Sequence, residues 1–441
     1  MTEIAFVEKQ IAGWGNYPLV DARLARVERY AELAEWAHRP CLARGLGRAY
    51  GDAAISLQGH TLLTTRLNRF LSFDPVSGLL CAEAGVSLDD ILRVVMPQGW
   101  FLSVTPGTRY VTLGGAIASD VHGKNHHHVG SFSAFVKSIV LFTVHGPLRC
   151  SAEENAACFW ATVGGMGMTG LIGEVELRLK PIQSADMSVT HVPAANLTEI
   201  MALMRDPAQD DEYTVAWIDC LAQGEALGRS VLVRGHHIDG SLGPAPGAAR
   251  LSMPVNLPGF CLNSHSVRAF NSLYYRWQSR KTAPHRVAIA PFFYPLDGIR
   301  DWPKLYGKGG FVQYQFVLPE GSAEAGIREV LARISEGGNA SFLAVLKRFG
   351  AQGEGLLSFP MPGFTLALDI PLRAGTLTLL DTLDTIVLAH GGRVYLAKDA
   401  RMSASTLQQM YPRLGEWQSI RHQLDPHGLY VSALGQRLEM C

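Results

Sequence analysis

One stretch decides how the rest of the chain is interpreted, Pro106 to Phe132, which reads P-G-T-R-Y-V-T-L-G-G-A-I-A-S-D-V-H-G-K-N-H-H-H-V-G-S-F. Its first half is built of small and apolar residues with paired glycines, which lets a large, flat group lie close against the backbone. Its second half places His122, Lys124 and three further histidines, His126 to His128, within seven residues. Imidazoles titrate near neutral pH, and a core segment rarely gathers so many of them. We interpret the stretch as the wall of a cofactor site.

Length and composition limit the class of protein. At 441 residues, 47% hydrophobic and 18% charged, the chain is expected to be a soluble globular protein of at least two domains. Its 39 basic and 39 acidic residues cancel, which argues against nucleic acid as a partner. No apolar run approaches the ~18 residues that span a bilayer, and we expect no export signal because the first residues lack an apolar leader. The seven cysteines form no C-x-x-C pair, which is typical of reduced thiols in the cytoplasm.

A second glycine-rich segment, R-G-L-G-R-A-Y-G-D at residues 44 to 52, follows a short apolar strand at 41 to 43. Its glycines permit positive φ, so that successive backbone N–H groups can converge on an anion such as a pyrophosphate. A Rossmann dinucleotide fingerprint fits badly, because Tyr50 occupies the third glycine position and no helix pattern follows. A plain glycine turn between strands stays open as an alternative.

We predict that residues 1 to 186 form the first domain. Ser87 to Met96 has the pattern of a helix with Ser87 as its N-cap. Val136 to Val144 is predicted to be a buried strand, and the glycine-rich turn in residues 159 to 181 to lead into a strand of period two. Pro181 and the polar residues after it mark the boundary.

Residues 187 to 392 are predicted to form a second domain, an antiparallel sheet with helices on one face. Phe311 to Val317 alternates, so Gln313 and Gln315 share one side. A second strand is predicted at 364 to 370, and Thr365 is on its polar side. A sheet face lined by such polar side chains indicates that it faces a ligand or solvent. The parity of Lys347 is ambiguous, and a solvated lysine explains it equally well. Helices are predicted at 322 to 334 and 377 to 389.

Residues 393 to 441 are predicted to return to the first domain. The strand 393 to 398 would carry Tyr395 and Lys398 at its end. A lysine there is suited to stabilise negative charge on a bound cofactor, although a strand-end lysine is more often a surface charge.

A helix is also predicted where Val267, Phe270, Leu273, Tyr274 and Trp277 recur at helical spacing beside basic residues. Two interpretations are open for residues 250 to 281. A basic amphipathic helix after a Gly- and Pro-rich loop can touch a membrane surface, peripherally to the inner membrane. Packing of the helix on the domain core is the favoured of the two.

Four motifs together resemble those of the FAD-dependent oxidases with a vanillyl-alcohol-oxidase (PCMH-type) fold: R-G-L-G-R-A-Y-G-D, P-G-T-R-x-V-T-L-G-G-A-I-A-S-D-V-H-G-K-N-H-H, F-W-A-T-V-G-G-M-G-M-T-G and Y-L-A-K-D-A-R. Within that family the chain is most similar to oxidases of a polyprenyl-phosphate-linked ribose, the flavoprotein half of a 2-epimerase. The resemblance spans almost the whole chain and implies an α+β fold of two domains. It also implies FAD, which we expect to be non-covalent because the first glycine loop contains no histidine for attachment.

The resemblance assigns residues to the cofactor, to the substrate and to catalysis. Those implied to contact FAD are Arg44, Gly45, Leu46, Gly47, Arg48, Ala49, Tyr50, Pro106, Gly107, Thr108, Gly114, Gly115, Ala118, Ser119, His122, Gly123, Asn125, Gly170, Ile172, Tyr395 and Lys398. Those implied to line the substrate pocket are Lys124, Trp217, Gln313, Gln315, Lys347, Thr365 and Ala367. Ala367 and Thr365 depart from the cysteine and asparagine of mycobacterial members, which puts the lipid-linked sugar in doubt.

The implied reaction is oxidation of a secondary sugar hydroxyl to a ketone, after which a short-chain-dehydrogenase-type reductase partner would complete an epimerisation. His122 is the first candidate for taking or holding the hydroxyl proton, ahead of Tyr50 and Lys347. Lys398 is expected to stabilise the reduced flavin, and Lys124 with Lys347 to clamp a substrate phosphate. The alternatives are an aldonolactone or alditol oxidase that passes electrons to oxygen, a flavin-binding scaffold without turnover, and a zinc protein using His122 and His126 to His128. No H-E-x-x-H or cysteine pair supports the zinc site.

Overall fold

The computed structural model describes residues 5–208, 211–247, 249, 251–258, 262–337, 341 and 343–441. These residues form an α+β structure in which the first 182 residues and residues 186 to 394 build separate sheets. No helix among them is both long and apolar enough to cross a membrane.

The first part of the chain contains two larger sheets. Its strands are β1 (Val7–Ile11), β2 (Val20–Arg26), β3 (Cys41–Arg44), β4 (His60–Leu63), β5 (Phe70–Asp74), β6 (Leu79–Glu83), β7 (Trp100–Phe101), β8 (Val136–Thr143), β9 (Gly146–Cys150), β10 (Leu171–Arg178) and β11 (Lys180–Pro181). The first sheet has the order β1-β2-β4-β3, with β3 and β4 parallel, and the second is antiparallel with the order β5-β6-β10-β8-β9. β7 and β11 form a separate pair. The buried strand predicted at 136 to 144 is confirmed as β8.

Short helices connect these strands: α1 (Glu32–Trp36), α2 (Leu88–Val95), α3 (Leu113–Ala118), α4 (His126–Val129) and α5 (Ala156–Thr162). The predicted α2 is confirmed, and Ser87 caps it by accepting a hydrogen bond from the backbone N–H of Asp90, whose side chain accepts from the N–H of Ser87 in return. Its apolar face, which includes Ile91 and Leu92, is fully buried in the core. α5 was missed, because the glycines that follow it dominated the pattern.

The second part is built on an eight-stranded antiparallel sheet of described residues with the order β16-β12-β14-β13-β19-β20-β18-β21. The strands of this part are β12 (Asp186–Ala194), β13 (Tyr213–Ile218), β14 (Ser230–His237), β15 (Leu251–Ser252), β16 (His285–Ala288), β17 (Ile299–Arg300), β18 (Phe311–Pro319), β19 (Ala344–Phe349), β20 (Gly363–Pro371) and β21 (Arg393–Val394). β15 and β17 pair with each other outside the large sheet.

The helices of this part and of the C-terminal segment are α6 (Leu197–Arg205), α7 (Ser264–Gln278), α8 (Ile289–Phe293), α9 (Ala323–Glu336), α10 (Thr376–Ala389), α11 (Ala404–Met410), α12 (Leu414–Leu424) and α13 (Ala433–Arg437). The predicted α9 and α10 are confirmed. The stripe Ile327, Val330, Leu331 and Ile334 of α9 is fully buried, in one hydrophobic cluster with the sheet side chains Tyr314, Phe316, Leu366 and Leu368. The helices α9 and α10 therefore cover the apolar face of the sheet, as the alternation indicated.

The strand predicted at 393 to 398 is wrong in its length. Only Arg393–Val394 pairs with β18, at the edge of the sheet. The chain then turns, with the N–H of Lys398 bonded to the carbonyl of Tyr395 at 2.9 Å. The turn brings Ala397 to the first glycine loop, where its carbonyl accepts from the N–H of Tyr50 at 2.9 Å. A strand continuing to residue 398 could not make this crossing.

The predicted α7 is confirmed, and part of its apolar stripe packs on the domain core as favoured. Val267 is buried, whereas Leu273 and Trp277 are 67% and 57% exposed. A polar contact adds to this packing, with Asn271 donating to a carboxylate oxygen of Asp219 at 2.7 Å. Of the segment 250 to 281, residues 250 and 259 to 261 lie outside the described residues.

A C-terminal ion cluster fastens the last helix to the glycine loop. Arg437 donates to Asp52, just after the loop, at 2.9 Å and lies 2.9 Å from a carboxylate oxygen of Asp399. The guanidinium is thus shared by two carboxylates from distant parts of the chain.

Candidate active site

The first glycine loop, residues 44 to 50, connects β3 to the rest of the first sheet. Gly47 has a φ of +64°, and an added Cβ there would lie 2.6 Å from Nη2 of Arg44. That guanidinium folds under the loop and donates to the carbonyls of Ala12 and Ala54 at 2.7 and 3.2 Å. Arg48 donates to the carbonyl of Tyr110 at 3.0 Å, and its guanidinium lies 3.7 Å from the ring centroid of Trp14. Both arginine side chains therefore shape the loop from within the protein.

The backbone N–H groups of this loop are the groups left to bind a ligand. Among the described residues, none accepts a hydrogen bond from the N–H groups of Leu46, Gly47, Arg48 or Ala49. Four neighbouring donors without partners suit the anion site that the sequence predicts for this loop.

The helix α3 and the segment after it form the central wall. Gly45 packs on Thr112, the N-cap of α3, so closely that an added Cβ would lie 2.2 Å from the threonine hydroxyl. Gly114 faces the protein rather than a ligand, because its N–H donates to the carbonyl of Ala84 at 2.8 Å. Gly107, by contrast, has no neighbouring atom within 4 Å of an added Cβ. The open side of the wall is therefore at Gly107 and beyond.

Several other residues assigned to FAD hold this wall in place. Tyr395 donates to the carbonyl of Ser119 at 2.7 Å, and the N–H of Met166 donates to the carbonyl of Ala118 at 2.9 Å. Thr108 donates to Asp297 at 2.7 Å. Gly170 lies in the turn before β10, and Ile172 lies at the beginning of β10. This part of β10 pairs with β8 behind α3.

His122 is buried between the wall and the large sheet. Its Nε2 is 3.0 Å from the side-chain amide nitrogen of Gln315. Because the amide nitrogen donates, Nε2 accepts and Nδ1 carries the hydrogen, which meets no acceptor among the described residues. Burial, and then the charge of Lys347, lowers the pKa of His122 well below its usual range. The residue is a neutral imidazole with one free donor, and so a poor proton acceptor.

Three lysines surround the same space. Burial lowers the pKa of Lys124 to about 7 and that of Lys347 to about 8, and it also lowers the pKa of Lys398. Lys347 lies centrally, because its charge contributes to the lowered pKa of His122, Lys124 and Lys398 alike. Within the described residues, no carboxylate comes within 4.0 Å of any of these three ammonium groups. Lys124 instead donates to the carbonyl of Phe292 and lies 4.3 Å from that ring centroid.

The face of the large sheet opposite α9 and α10 brings the predicted substrate residues together. The register aligns Gln315, Ala367, Val345 and Trp217 in one row across four strands. Thr365 and Lys347 are paired in the next row, which settles the parity of Lys347 in favour of the site. Trp217 packs against Tyr274 of α7 with 4.8 Å between ring centroids. The row thus changes from polar at Gln315 to apolar at Trp217.

Asp369 belongs to this face and was missed by the sequence analysis. It is fully buried and pairs across the strands with Gln313, whose amide nitrogen donates to it at 2.5 Å. The same nitrogen lies 3.2 Å from the hydroxyl of Tyr50, above whose ring the ammonium of Lys398 lies 3.9 Å from the centroid. The signal was present, since Asp369 follows Thr365 and Ala367 at period two.

His126, His127 and His128 dock α4 rather than face the site. Nδ1 of His126 accepts from the N–H of Gly350 at 3.2 Å, while His127 and His128 both contact the carbonyl of Asp211, at 3.2 and 3.1 Å. No three His, Cys, Asp or Glu side chains of the described residues are arranged to hold a metal ion. Asn125 donates to the carbonyl of Ser103 at 2.8 Å.

The residues present fit FAD. The free N–H groups of the glycine loop suit a pyrophosphate, and the open wall at Gly107 leaves room beside the backbone. The half-buried ammonium of Lys398, next to Tyr50, suits the negative charge that a flavin ring acquires on reduction.

Comparison with known proteins agrees with this fit. Residues 22–151 match the family model of an FAD binding domain, and residues 371–438 match that of D-arabinono-1,4-lactone oxidase. The chain is 36% identical to decaprenylphosphoryl-β-D-ribose oxidase of Mycolicibacterium smegmatis over 461 aligned positions, covering 100% of this chain and 99% of the relative. It is 21% identical to L-gulono-1,4-lactone dehydrogenase of Mycobacterium tuberculosis, covering 96% and 98%, and 23% identical to L-gulonolactone oxidase of Bos taurus, covering 92% and 91%.

Proposed function

Because the chain belongs to the family of FAD-dependent oxidases that includes decaprenylphosphoryl-β-D-ribose oxidase, we propose that it oxidises a secondary hydroxyl of a polyprenyl-phosphate-linked pentose to a keto sugar. The protein is an FAD-dependent oxidoreductase of CH–OH groups. The reaction would be the first half of a 2-epimerisation, completed by a separate reductase of the short-chain dehydrogenase type.

One observation carries the choice of substrate. On a single sheet face, uncompensated ammonium groups adjoin a row that becomes apolar toward Trp217 and Tyr274. Lysines without carboxylate partners favour a phosphate, and the phosphodiester that joins a polyprenyl chain to a pentose carries one negative charge near neutral pH. The apolar end favours the first isoprene units of a lipid carrier. A free lactone or alditol would use neither feature.

The bound FAD supplies the acceptor for the hydride that leaves the sugar carbon. His122 is placed to hold the sugar oxygen, because its Nδ1–H has no acceptor among the described residues. Its low pKa makes it a weak base, so the hydroxyl proton goes instead to the neighbouring Lys347, whose pKa of about 8 leaves part of it neutral at physiological pH. Lys124, on the side of α8, then faces the phosphate.

The proposed substrate is tested by anaerobic bleaching of the flavin. Purified protein is mixed with polyprenyl-phosphate-linked ribose, with the same lipid phosphate lacking the sugar, and with free pentoses and aldonolactones. Bleaching by the lipid-linked ribose alone supports the proposal. Rapid peroxide formation with free lactones or alditols, and no bleaching by the lipid-linked sugar, would replace it with the oxygen-dependent alternative.

Contact with a membrane surface through α7 is a further part of the proposal. Its exposed Leu273 and Trp277 adjoin the basic side chains of Arg276, Arg280 and Lys281, and the ammonium of Lys281 lies 3.8 Å from the ring centroid of Trp277. No acidic residue occurs in α7 to oppose an anionic surface. A basic helix with an exposed aromatic and aliphatic stripe favours anionic lipid.

Vesicle co-sedimentation tests this contact. Binding to vesicles with anionic lipid, weakened by salt and by Leu273→Ser with Trp277→Ser, is the expected result. Leu71→Ser, at a site on β5 that is 45% exposed, is the matched control and should leave binding unchanged. Equal binding by the α7 variant and the wild type would exclude α7 as the contact.

A further inference from the structure

Asp369, which is fully buried, and Lys398 belong to one group of four side chains whose other members are half-buried. We call this group the Asp369 network: Asp369, Gln313, Tyr50 and Lys398. Gln313 bridges the carboxylate, at 2.5 Å, and the hydroxyl of Tyr50, at 3.2 Å. Lys398 lies over the Tyr50 ring at 3.9 Å. The members come from β18, β20, the first glycine loop and the turn after β21, so the network forms only when all four meet.

The charges in this network oppose one another. Burial lowers the pKa of Lys398, and the charge of Lys347 lowers it further, whereas Asp369 raises it. The other groups that face Asp369 are Gln313, Tyr50 and Tyr306, and none of these carries a positive charge. Lys398 therefore depends on Asp369 to counter both burial and the second lysine.

A role confined to folding does not explain a carboxylate in this place. A buried carboxylate without a directly paired cation costs stability, and a neutral residue such as asparagine could accept the same hydrogen bond from Gln313. What asparagine could not supply is negative charge near Lys398. The resemblance implies a flavin beside this lysine, where positive charge matters most once the ring is reduced.

We infer that Asp369 is a positioning residue that keeps Lys398 protonated, and so sets how strongly the site stabilises the reduced flavin. The inference needs the flavin but not the pentose, so failure of the proposed substrate leaves it standing. Lys398 stabilises the reduced flavin at pH values below the pKa of that lysine. This stabilisation is lost as the pH rises through that pKa. Burial raises the pKa of Asp369 to about 7, so its negative charge acts on Lys398 above that pH. Removing this charge moves the loss of stabilisation to lower pH.

The experiment measures the midpoint potential of bound FAD against a reference dye, from pH 6 to pH 9, in the full chain. In Asp369→Asn the ratio of reduced to oxidised flavin at a fixed potential is expected to fall about tenfold near neutral pH, which for a two-electron couple is about 30 mV. The difference from wild type should vanish at both ends of the pH range, where Lys398 has the same charge in both proteins.

Two further variants separate this role from a structural one. In a Lys398→Arg background the guanidinium stays charged without help, so adding Asp369→Asn should no longer change the potential. Asp369→Glu keeps the carboxylate, moves it by one methylene and should restore most of the wild-type potential. If Asp369→Asn does not fold, Asp369→Glu carries the test, because the small loss of potential that it leaves should disappear in the Lys398→Arg background.

An unchanged potential across the pH range in a folded, FAD-bound Asp369→Asn protein overturns the inference. So does an effect of the same size in the Lys398→Arg background, because Asp369 would then act on the flavin by another route. If only Asp369→Glu folds, a change in its potential that persists undiminished in the Lys398→Arg background would likewise count against the inference.

Discussion

On one face of the eight-stranded sheet, Phe316, Leu366 and Leu346 are fully buried in the core with α9 and α10. On the other face, the same three strands present Gln315, Thr365 and Lys347. The first face is filled at native density, where every methylene contributes to stability. The second gathers half-buried cations without ion-pair partners, which costs stability until a ligand supplies the missing charge. Selection for folding and selection for chemistry thus act on alternate residues of the same strands.

The largest loss of stability is expected for a truncation on the sheet face that packs against α9 and α10. Leu366→Ala should lower the free energy of unfolding by about 2–5 kcal/mol, because a buried leucine leaves a cavity that its neighbours cannot fill. Urea denaturation of the FAD-loaded protein measures the loss. Val76→Ala, at a position 88% exposed, is the control and should change stability by less than about 0.5 kcal/mol. A loss below 1 kcal/mol at Leu366 would show that the two faces do not differ in packing.

The next largest effect is expected when the ammonium beside Tyr50 is removed. Lys398→Met should slow flavin reduction by substrate about 10²-fold, since one charge that stabilises the transition state is lost. Stopped-flow absorbance under anaerobic conditions measures the rate, and Lys308→Met, at an exposed lysine, is the matched control. An unchanged reduction rate would remove Lys398 from the chemistry.

A smaller, two-sided effect is expected at Lys347. Lys347→Met should slow flavin reduction by substrate, because the proposed proton acceptor is lost, and should weaken binding of a lipid-linked sugar phosphate about tenfold. It should also raise the stability of the ligand-free protein at pH 7 by about 1 kcal/mol. Because the pKa of Lys347 is lowered to about 8 in the folded state, the unfolded chain binds more protons between that pH and its usual pKa near 10.5. Wild-type stability should therefore rise with pH across this window.

Denaturation at pH 7 and pH 10, with ligand titration at pH 7, checks both sides of that expectation. The gain in stability of Lys347→Met over wild type should shrink at pH 10, where Lys347 is neutral. Loss of affinity together with loss of stability would show that Lys347 is simply a structural residue.

The smallest effect is expected at Ala367, between Gln315 and Val345 in the site row. Ala367→Cys adds one sulfur atom on the ligand face and should change the KM for substrate less than threefold, with stability within about 1 kcal/mol. A thiol reagent should modify the new cysteine slowly, and bound substrate should block the reaction. Labelling that substrate does not affect would place the pocket elsewhere on the sheet.

The sequence predicted the alternating strands well, because period two is a local pattern. Gln315 could be assigned to the ligand face from its own strand alone, and the helices α9 and α10 from their apolar spacing. The FAD-binding domain was predicted from motifs whose glycines have direct backbone consequences.

What could not be predicted depends on contacts between distant segments. The partner of His122 is Gln315, 193 residues away, and that bond decides which imidazole nitrogen carries the hydrogen. The end of β21 is set by the bond between Ala397 and Tyr50 rather than by local propensity. The exposed apolar residues of α7 recur with the same helical period as buried ones do. Periodicity alone therefore could not distinguish an exposed stripe from a packed one. Alternation places Asp369 on the ligand face, but it was not assigned to the site, because its contacts with Gln313, Tyr50 and Lys398 come from distant segments.

The clamp of Arg437 on Asp52 and Asp399 has a consequence for the order in which the protein is made. The two residues joined by its bidentate bonds are 385 positions apart, and Asp52 lies just after the glycine loop. A ribosome will have released the whole FAD-binding sequence long before Arg437 emerges. This clamp on the loop therefore forms only after synthesis has reached α13, long after the loop itself has been made.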